Sequence, residues 1–353
     1  EEFIYSCEKI IQDIASNFPK LKIIIGYPKL FKGKLYNAAS VLFEKKILIT
    51  HHKNSLPNYG VFDEERYFTK DDKCTYFKHA SNKIGILICE DFWADAPIEN
   101  LKKENIDTII CINASPFELE KQQNRIKNAQ KKLSGTNIKL LYLNALGGQD
   151  DLLFDGGSFI FSGVSGLIFK STQFKALSYT HDLSDTKEIS INEDDELEIL
   201  LDGLILSLKD YLTKNNIPKV FLGLSGGIDS ALVLYIASKV VDKENIYAIM
   251  MPTKYTSKDS LEDAEIIAKS IGVNYDIKSI STILDALNDS FINDFKGMKE
   301  DITEENFQAR IRGIVLMGFA NKFKGMVIAR SNKSDVAVGY STIYGDMVGW
   351  VCV

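Results

Sequence analysis

The stretch VFLGLSGGIDSALVLYIASKVV, residues 220–241, constrains the fold of this chain more than any other segment. An apolar run ends at a Ser-Gly-Gly corner, and an apolar helical pattern follows at once. Glycines allow a tight turn and a close approach of the backbone to a ligand, and the free amides of a helix N-terminus attract an anion. This strand–turn–helix pattern therefore predicts a phosphate-binding corner in an α/β domain.

The corner holds an acid where the best-known phosphate loop holds a lysine. A Walker A loop places a lysine and a hydroxyl directly after its last glycine. Here Asp229 stands at the start of the helix, where a carboxylate can hold Mg²⁺ against phosphate oxygens. An ordinary capped turn uses the same residue types, because Asp and Ser are common N-caps. The spacing alone leaves both interpretations open.

The rest of the chain divides into two patterns. Residues 199–353 alternate strand-like runs (KVFLGL, NIYAIMMP, VNYDIKSI and GMVIAR) with helical ones, which predicts a Rossmann-like, doubly wound parallel sheet. Residues 1–183 contain many strand-like runs with few helices between them, which favours sheets packed under helices. A polar and mostly acidic stretch at 184–198 is the predicted linker between these two α/β domains.

Composition argues against several classes of protein. The net charge is −6 for 353 residues, which is unlike that of a general nucleic-acid binder. No apolar run reaches the roughly 18 residues of a membrane span, and residues 1–10 do not show the basic and then apolar pattern that is expected of a signal peptide. Five scattered cysteines favour free thiols in a reducing cytoplasm, and the four histidines show no zinc spacing. We expect a cytoplasmic protein without membrane or nucleic-acid partners.

Several motifs in the second half resemble one family. MPTKYTSKDSLEDAEIIAKSIG, TEENFQARIRG and SNKSDVAVGYSTIYGDMVG resemble the NAD synthetase domain, and SGGxDS resembles the pyrophosphate loop of the N-type ATP pyrophosphatases. That family uses ATP and Mg²⁺ to adenylate deamido-NAD. The resemblance implies that ATP is bound by Ser225, Gly226, Gly227, Asp229 and Ser230. It implies that deamido-NAD is bound by Asn306, Arg310 and Asp346, and that Asp229 and Asp335 are the magnesium ligands.

One cysteine in the first half has surroundings that suit catalysis. KIGILICEDFW places Cys89 at the end of an apolar strand, directly before two acids. A cysteine in such a strand is usually a small buried hydrophobe, as Cys111 in DTIICINASP illustrates. Lys53, in the upstream stretch KNSLPNYGVFDEERYF, is a cation that can favour a thiolate or stabilise an oxyanion. The residues alone leave catalytic and structural interpretations open.

The same stretches resemble the nitrilase-type amidohydrolase domain that is fused to glutamine-dependent NAD synthetases. KNSLPNYGVFDEERYF, ICEDFW, INASPF and GGQDDLLFDGGSF carry this resemblance. It implies an αββα sandwich, with Cys89 as the nucleophile that takes the glutamine amide as a thioester and Lys53 as the group that stabilises the oxyanion. It also implies a glutamine pocket that contains Tyr59, Phe62, Glu90, Ser115 and Arg125.

The chain departs from the family pattern in several places. The nitrilase triad is Glu-Lys-Cys, but no segment here resembles the one that carries the glutamate, so the base is left unassigned. A synthetase domain is expected to continue beyond Val353, and both domains are therefore expected to be truncated at their outer ends. Arg330 and Ser331 stand where the family usually has Thr-Gly, and Asp335 replaces the usual glutamate.

These patterns together predict a glutamine-dependent NAD synthetase, an ATP-dependent carbon–nitrogen ligase. Glutamine would yield ammonia at the first domain, and the second would adenylate deamido-NAD and form NAD, AMP and pyrophosphate. The alternatives are an ammonia-only or inactive truncated fragment, and another amidotransferase with the same ATP loop. The resemblance implies ATP and Mg²⁺ as cofactors, deamido-NAD, glutamine and ammonia as partners, and assembly into a homo-oligomer.

Overall fold

A computed structural model of the chain describes residues 2–185, 187, 195–330, 333–349 and 351–352. It divides into two compact units: the first is Glu1–Gly147 with Asp151–Glu196, and the second is Gly148–Asp150 with Leu197–Val353. Most of the predicted linker, at 188–194, and Ser331 lie outside the described residues. No helix in the described part of the chain is both long and apolar enough to cross a membrane.

The first half of the chain is built mainly from short strands. They are β1 (Ile23–Phe31), β2 (Lys34–Phe43), β3 (Lys46–His52), β4 (Tyr76–His79), β5 (Asn82–Ile88), β6 (Thr108–Asn113), β7 (Lys139–Asn144), β8 (Leu146–Gln149), β9 (Leu152–Asp155), β10 (Phe159–Ser162) and β11 (Gly166–Lys170). The helices are α1 (Glu2–Asn17), α2 (Glu90–Trp93), α3 (Asp95–Lys103) and α4 (Lys121–Leu133), with a 3₁₀ turn at Glu64–Arg66.

These elements form four layers. Strands β1-β2-β3 make a small antiparallel sheet, and β11-β10-β7-β6-β5-β4 make a six-stranded sheet whose strands β5, β6 and β7 run parallel. Helix α1 packs on the small sheet through Ile11 and Ala15, while α2, α3 and α4 cover the large sheet. The sheets face each other through Val41 and Ile86. The predicted αββα sandwich is therefore confirmed, and β5 is a continuous apolar run because both of its faces are covered.

The second half alternates helices and strands. They are α5 (Glu196–Lys214), β12 (Val220–Gly223), α6 (Ile228–Ser238), β13 (Ile246–Met250), α7 (Lys258–Ile271), β14 (Asn274–Ile277), α8 (Ser281–Phe291), α9 (Ile302–Phe323), β15 (Met326–Ala329), α10 (Lys333–Ala337) and β16 (Val351–Cys352), with a 3₁₀ turn at Lys243–Asn245.

Its strands form a parallel sheet in the order β14-β13-β12-β15-β16. One face packs against α5, α6 and α7 around Leu208 and Leu234, and the other packs against α8 and α9 around Ile280 and Ile311. The chain moves from β12 to β13 on one side and returns to β15 on the other, so the strand order reverses at β12. The predicted doubly wound sheet is confirmed, and β12 ends at the switch point where such folds bind ligands.

Strand β12 supplies a stability prediction for the second unit. Phe221 is fully buried, and its ring stacks on Tyr247 with a centroid separation of 4.9 Å. Phe221→Ala should lower the free energy of unfolding by about 3–5 kcal/mol, because the cavity would lie between packed layers. Urea denaturation followed by circular dichroism measures the change. Ile266→Ala, at an exposed position of α7, is the control and should change it by less than about 0.5 kcal/mol. Equal effects of the two variants would contradict the packing described here.

Candidate functional site

Cys89 occupies a strained corner between β5 and α2. Its backbone angles are φ 46° and ψ −97°, a combination that costs free energy in any residue with a Cβ. The corner is held from both sides, because the Cys89 amide donates to the Ile112 carbonyl at 3.1 Å and the Phe92 amide donates to the Cys89 carbonyl at 3.0 Å. Cys89 is buried at the carboxyl end of a parallel strand, where α/β folds collect functional side chains.

Lys53 lies directly after β3 and is 1% exposed. Its Nζ donates to Oε1 of Glu64 at 2.6 Å, and Nδ2 of Asn37 donates to the other Glu64 oxygen at 3.4 Å. A buried ammonium is tolerated only with such a partner. Glu64 was not among the residues predicted from the sequence. Its signal was the acidic run DEE at 63–65, but nothing in that run distinguishes one acid from the next.

The charges around the thiol act in opposite directions. Burial raises the pKa of Cys89, the Lys53 ammonium lowers it, and the carboxylates of Glu64 and Glu90 raise it further. The balance leaves the pKa of Cys89 above its usual value. Because the thiolate is the nucleophile, chemistry at this corner requires both the nearby cation and a group that accepts the thiol proton.

Three residues of the predicted glutamine pocket lie together beside Cys89. The Tyr59 hydroxyl donates to Oε2 of Glu90 at 3.0 Å, and the Tyr59 ring meets Phe62 edge-on with a centroid separation of 5.7 Å. Partial burial and the hydrogen bond to Glu90 raise the pKa of Tyr59 to about 12. An exposed aromatic ring beside a carboxylate suits a ligand that carries an ammonium group. Their contact with glutamine stays a prediction.

The other two residues of that predicted pocket lie deeper. Arg125 is fully buried, and one terminal nitrogen donates to both carboxylate oxygens of Asp155, at 2.9 and 2.8 Å. The second donates to the carbonyl and hydroxyl oxygens of Ser115, at 3.0 and 3.1 Å. The terminal nitrogens are thus engaged inside the protein, and these contacts favour a role for Arg125 in fixing the Ser115 loop. Asp155, its counter-charge, was also missed from the sequence.

The Ser-Gly-Gly corner after β12 has the backbone that the sequence predicts. Gly226 has φ +82°, and a Cβ there would lie 2.5 Å from the carbonyl oxygen of Ser260, so only glycine fits. The hydroxyl of Ser225 accepts from the Gly227 amide at 3.3 Å, and the hydroxyl of Ser230 donates to the Gly227 carbonyl at 2.9 Å. Asp229 is exposed in the first turn of α6. The two serines therefore fix the loop, and Asp229 is left to face a ligand.

A cavity of about 350 Å³ adjoins this corner. Six predicted residues line it, namely Ser225, Asp229, Ser230, Asn306, Asp335 and Asp346. Helix α9 supplies Asn306 and begins with a capping box formed by Asp301 and Glu304, which fixes its first turn. Arg310 is not among the lining residues, and its Nε donates to the Ile343 carbonyl at 3.3 Å. The structure thus brings six of the predicted ATP, magnesium and deamido-NAD residues to one cavity, whereas Arg310 is not among its lining residues.

Two arginines that were not predicted as ligands also line this cavity. Arg312 and Arg330 are shared with a second cavity, also of about 350 Å³, next to Met251 and Ser260. Burial and the neighbouring Arg330 lower the pKa of Arg312 from its usual value, and the Arg312 Nε donates to the Met251 carbonyl at 3.3 Å. Arg330 was noted only as a departure from the family pattern, and its Nη2 lies 3.7 Å from a carboxylate oxygen of Asp346. Close guanidinium groups suit a phosphate chain.

The same cavity contains candidate ligands for a magnesium ion. Within the described ranges, no group of three or more His, Cys, Asp or Glu side chains is arranged to hold a metal. Asp229 and Asp335 do line one cavity, and Mg²⁺ is typically held by one or two carboxylates together with substrate phosphates and water. The two acids therefore fit Mg²⁺ as a partner of a bound phosphate chain, and this assignment stays a prediction.

Family comparisons match each half of the chain separately. Residues 10–185 match the family described as carbon-nitrogen hydrolase, and residues 200–352 match the family described as NAD synthase. These matches cover the Cys89 corner and the Ser-Gly-Gly corner respectively.

Several curated proteins are similar to nearly the whole chain, across both units. The glutamine-dependent NAD(+) synthetase of Acinetobacter baylyi is 40% identical over 91% of this chain and 60% of its own length. That of Aquifex aeolicus is 34% identical over 98% of this chain and 68% of its own length. The structure of the Acinetobacter baumannii glutamine-dependent NAD+ synthetase with adenosine diphosphate superimposes with a TM-score of 0.92 at 37% identity, over 98% of this chain and 67% of that one. The chain spans 60–68% of the length of such curated relatives.

The Cys89 corner predicts selective thiol chemistry. A glutamine-analogue diazoketone should label Cys89 in preference to Cys7 and Cys74, which are half-buried free thiols without a neighbouring buried lysine. Lys53→Met should reduce labelling at pH 7 by about tenfold, because loss of the ammonium raises the thiol pKa and reduces the thiolate fraction. Mass-spectrometric mapping measures both effects.

The control for that experiment is Lys102→Met, which removes a lysine from α3 whose partner is Glu99. It should leave the labelling rate unchanged. Labelling of Cys7 and Cys74 that spares Cys89 would overturn the assignment of the nucleophile.

Proposed function

Because this chain belongs to the family of glutamine-dependent NAD synthetases, as the sequence resemblance implied, we propose that it forms NAD from deamido-NAD with ATP and glutamine as co-substrates. One observation carries the proposal: the chain combines a strained cysteine beside a buried lysine with a lysine-free Ser-Gly-Gly corner at the switch point of a parallel sheet. The first arrangement suits amide hydrolysis, and the second suits adenylation by ATP.

In the first unit, the Cys89 thiolate would attack the side-chain carbonyl carbon of glutamine. The proton that the thiol gave up passes to the amide nitrogen, and the tetrahedral intermediate then collapses with loss of ammonia and leaves a thioester. Water hydrolyses the thioester to glutamate and the free thiol. Lys53 would stabilise the oxyanion in both steps. Its ammonium is close enough to Cys89 to lower the pKa of the thiol, and the oxyanion forms next to that thiol. Glu64 holds the Lys53 ammonium in place through the 2.6 Å contact.

In the second unit, a carboxylate oxygen of deamido-NAD would attack the α-phosphorus of ATP and release pyrophosphate. Ammonia would then attack the acyl carbon, and AMP would leave. The first turn of α6, which follows the Gly226–Gly227 turn, would offer backbone amides to the departing pyrophosphate, while Arg312 and Arg330 would face the phosphates. Asn306, Arg310 and Asp346 are assigned to deamido-NAD. Mg²⁺, when bound by Asp229 and Asp335, would neutralise phosphate charge.

Two further predictions stay open to test. The family resemblance implies a homo-oligomer, which size-exclusion chromatography with light scattering would measure. The expected cytoplasmic location is likewise a prediction from composition.

The two chemistries separate cleanly in one pair of assays. Cys89→Ala should abolish NAD formation with glutamine but change NAD formation with ammonium by less than about twofold, because ammonia enters the reaction after the thioester step. NAD is measured with deamido-NAD, ATP and each nitrogen donor in turn. Cys7→Ala, a change on α1, is the control and should preserve both activities. Glutamine-dependent activity that survives in Cys89→Ala would remove Cys89 from the mechanism.

The opposite pattern is expected for Asp229. Asp229→Asn should reduce AMP formation by at least about 100-fold, since the carboxylate stabilises charge at the phosphates, while glutamine hydrolysis persists. Asp259→Asn is a matched control, because Asp259 is an exposed acid in the first turn of α7 and does not line the cavity. Adenylation at the wild-type rate in Asp229→Asn would exclude Asp229 from the reaction.

A further inference from the structure

A buried carboxylate connects the segments that carry Lys53 and Cys89. Asp91 is completely buried, and both of its oxygens have partners. Its Oδ1 accepts the backbone amides of Asn54 at 2.8 Å and Ser55 at 2.7 Å. Its Oδ2 accepts the amide of Ile88 at 3.0 Å and lies 2.9 Å from Nε2 of the buried His51.

These partners flank the reacting groups in the sequence. Asn54 directly follows Lys53, and Ile88 directly precedes Cys89. Lys53 directly follows the β3 strand of the small sheet, whereas Cys89 directly follows the β5 strand of the large sheet. Asp91 therefore links two layers of the sandwich at the point where each contributes one group to the site.

The apolar packing between the two sheets fixes the separation of Lys53 and Cys89 less precisely than hydrogen bonds do. The sheets meet through small and branched apolar side chains, among them Ala39, Val41, Ile86 and Ile88. Such contacts are non-directional, whereas hydrogen bonds to a carboxylate are short and oriented. A carboxylate also suits position 91 because it only accepts hydrogen bonds, and three of the four groups that contact Asp91 are backbone N–H donors.

We propose that Asp91 is a positioning residue for glutamine hydrolysis, which sets the distance between the Lys53 ammonium and the Cys89 thiol. The inference rests on the function proposed above for the first unit. Asp91 acts through the backbone of its neighbours and is not itself assigned a contact with substrate.

His51 provides a graded variant of the same network. A carboxylate cannot donate, so Nε2 of His51 carries the proton that points to Asp91. Its Nδ1 is buried and has no hydrogen-bond partner within the described residues. His51→Leu would therefore remove one of the four contacts of Asp91 and leave the three backbone bonds, together with the negative charge.

Asp91→Asn is the main test, because it keeps the shape of the side chain and replaces one acceptor oxygen with a donor. Either orientation of the amide turns an NH₂ group toward a backbone N–H, so the network has to rearrange. We expect kcat for glutamine hydrolysis to fall at least about 100-fold with KM changed by less than about threefold. NAD formation with ammonium should change by less than about twofold.

A pH profile separates positioning from simple destabilisation. The rate of Cys89 alkylation by iodoacetamide is followed against pH. Besides Asp91, the titratable groups that interact with the thiol include Lys53, Tyr59, Glu64, Glu90, Cys111 and Tyr142. Loss of the Asp91 charge by itself would lower the pH midpoint of alkylation, because a nearby anion disfavours the thiolate. Displacement of Lys53 would raise that pH midpoint. We expect the pH midpoint to rise in Asp91→Asn and to rise less in His51→Leu.

The control for stability is Leu133→Ala, which opens a cavity at the end of α4 in the core on the outer face of the large sheet. It should lower the thermal midpoint without moving the alkylation midpoint or kcat. An Asp91→Asn variant that behaves like Leu133→Ala, or whose alkylation midpoint falls, overturns the proposal. If Asp91→Asn fails to fold, an unchanged pH midpoint of alkylation in His51→Leu overturns the proposal instead.

A wild-type protein that does not hydrolyse glutamine would refute the proposed function, while the alkylation profiles would still decide the role of Asp91.

Discussion

The first unit depends on charges that are buried and fully partnered. Lys53, Asp91 and Arg125 have almost no exposed surface, and each contacts opposite charge or backbone donors from a different part of the chain. Transferring such groups out of water is unfavourable unless their hydrogen bonds are replaced. Apolar residues of the same volume would often be equally stable at such positions. Such charges are therefore weak evidence for stability, and two of them bear directly on the strained cysteine: Lys53 lowers the pKa of Cys89, and Asp91 accepts the amide of the preceding Ile88.

The second unit relies on the backbone instead. Its corner after β12 is defined by a left-handed glycine with a carbonyl oxygen 2.5 Å from where a Cβ would be, and by serines that bond to the loop itself. The side chains that face the cavity come from elements far apart in sequence, α6, α9 and α10 among them. A parallel sheet allows this, because its strand ends and helix N-termini converge on one edge.

Sequence patterns predicted the architecture well and the chemistry unevenly. The parallel sheet followed from apolar runs and their alternation with helices, the αββα layers followed from the family resemblance, and Gly226 followed from its turn. Glu64, Asp91 and Asp155 could not be found that way, because each acts on a partner 11 to 40 positions distant in the chain. An acid next to a motif looks the same whether it is exposed or buried. Only the fold shows that Glu64 meets Lys53 while its neighbour Glu65 is exposed.

The distribution of charge in the second unit explains why arginine is tolerated at position 330. The first cavity is lined by four acids, Asp229, Glu305, Asp335 and Asp346, and by two arginines. The second cavity shares Arg312 and Arg330, and none of its lining residues in the described part of the chain is an acid. Burial and, to a smaller extent, repulsion by Arg330 lower the pKa of Arg312, so an anion beside the two guanidinium groups would be favourable. On the proposed function, the phosphates of ATP are that anion, and the acids of the first cavity favour the cation that accompanies it. Arg330 then strengthens the hold on phosphate where the family has a small residue, and its contact with Asp346 limits the cost of the extra positive charge.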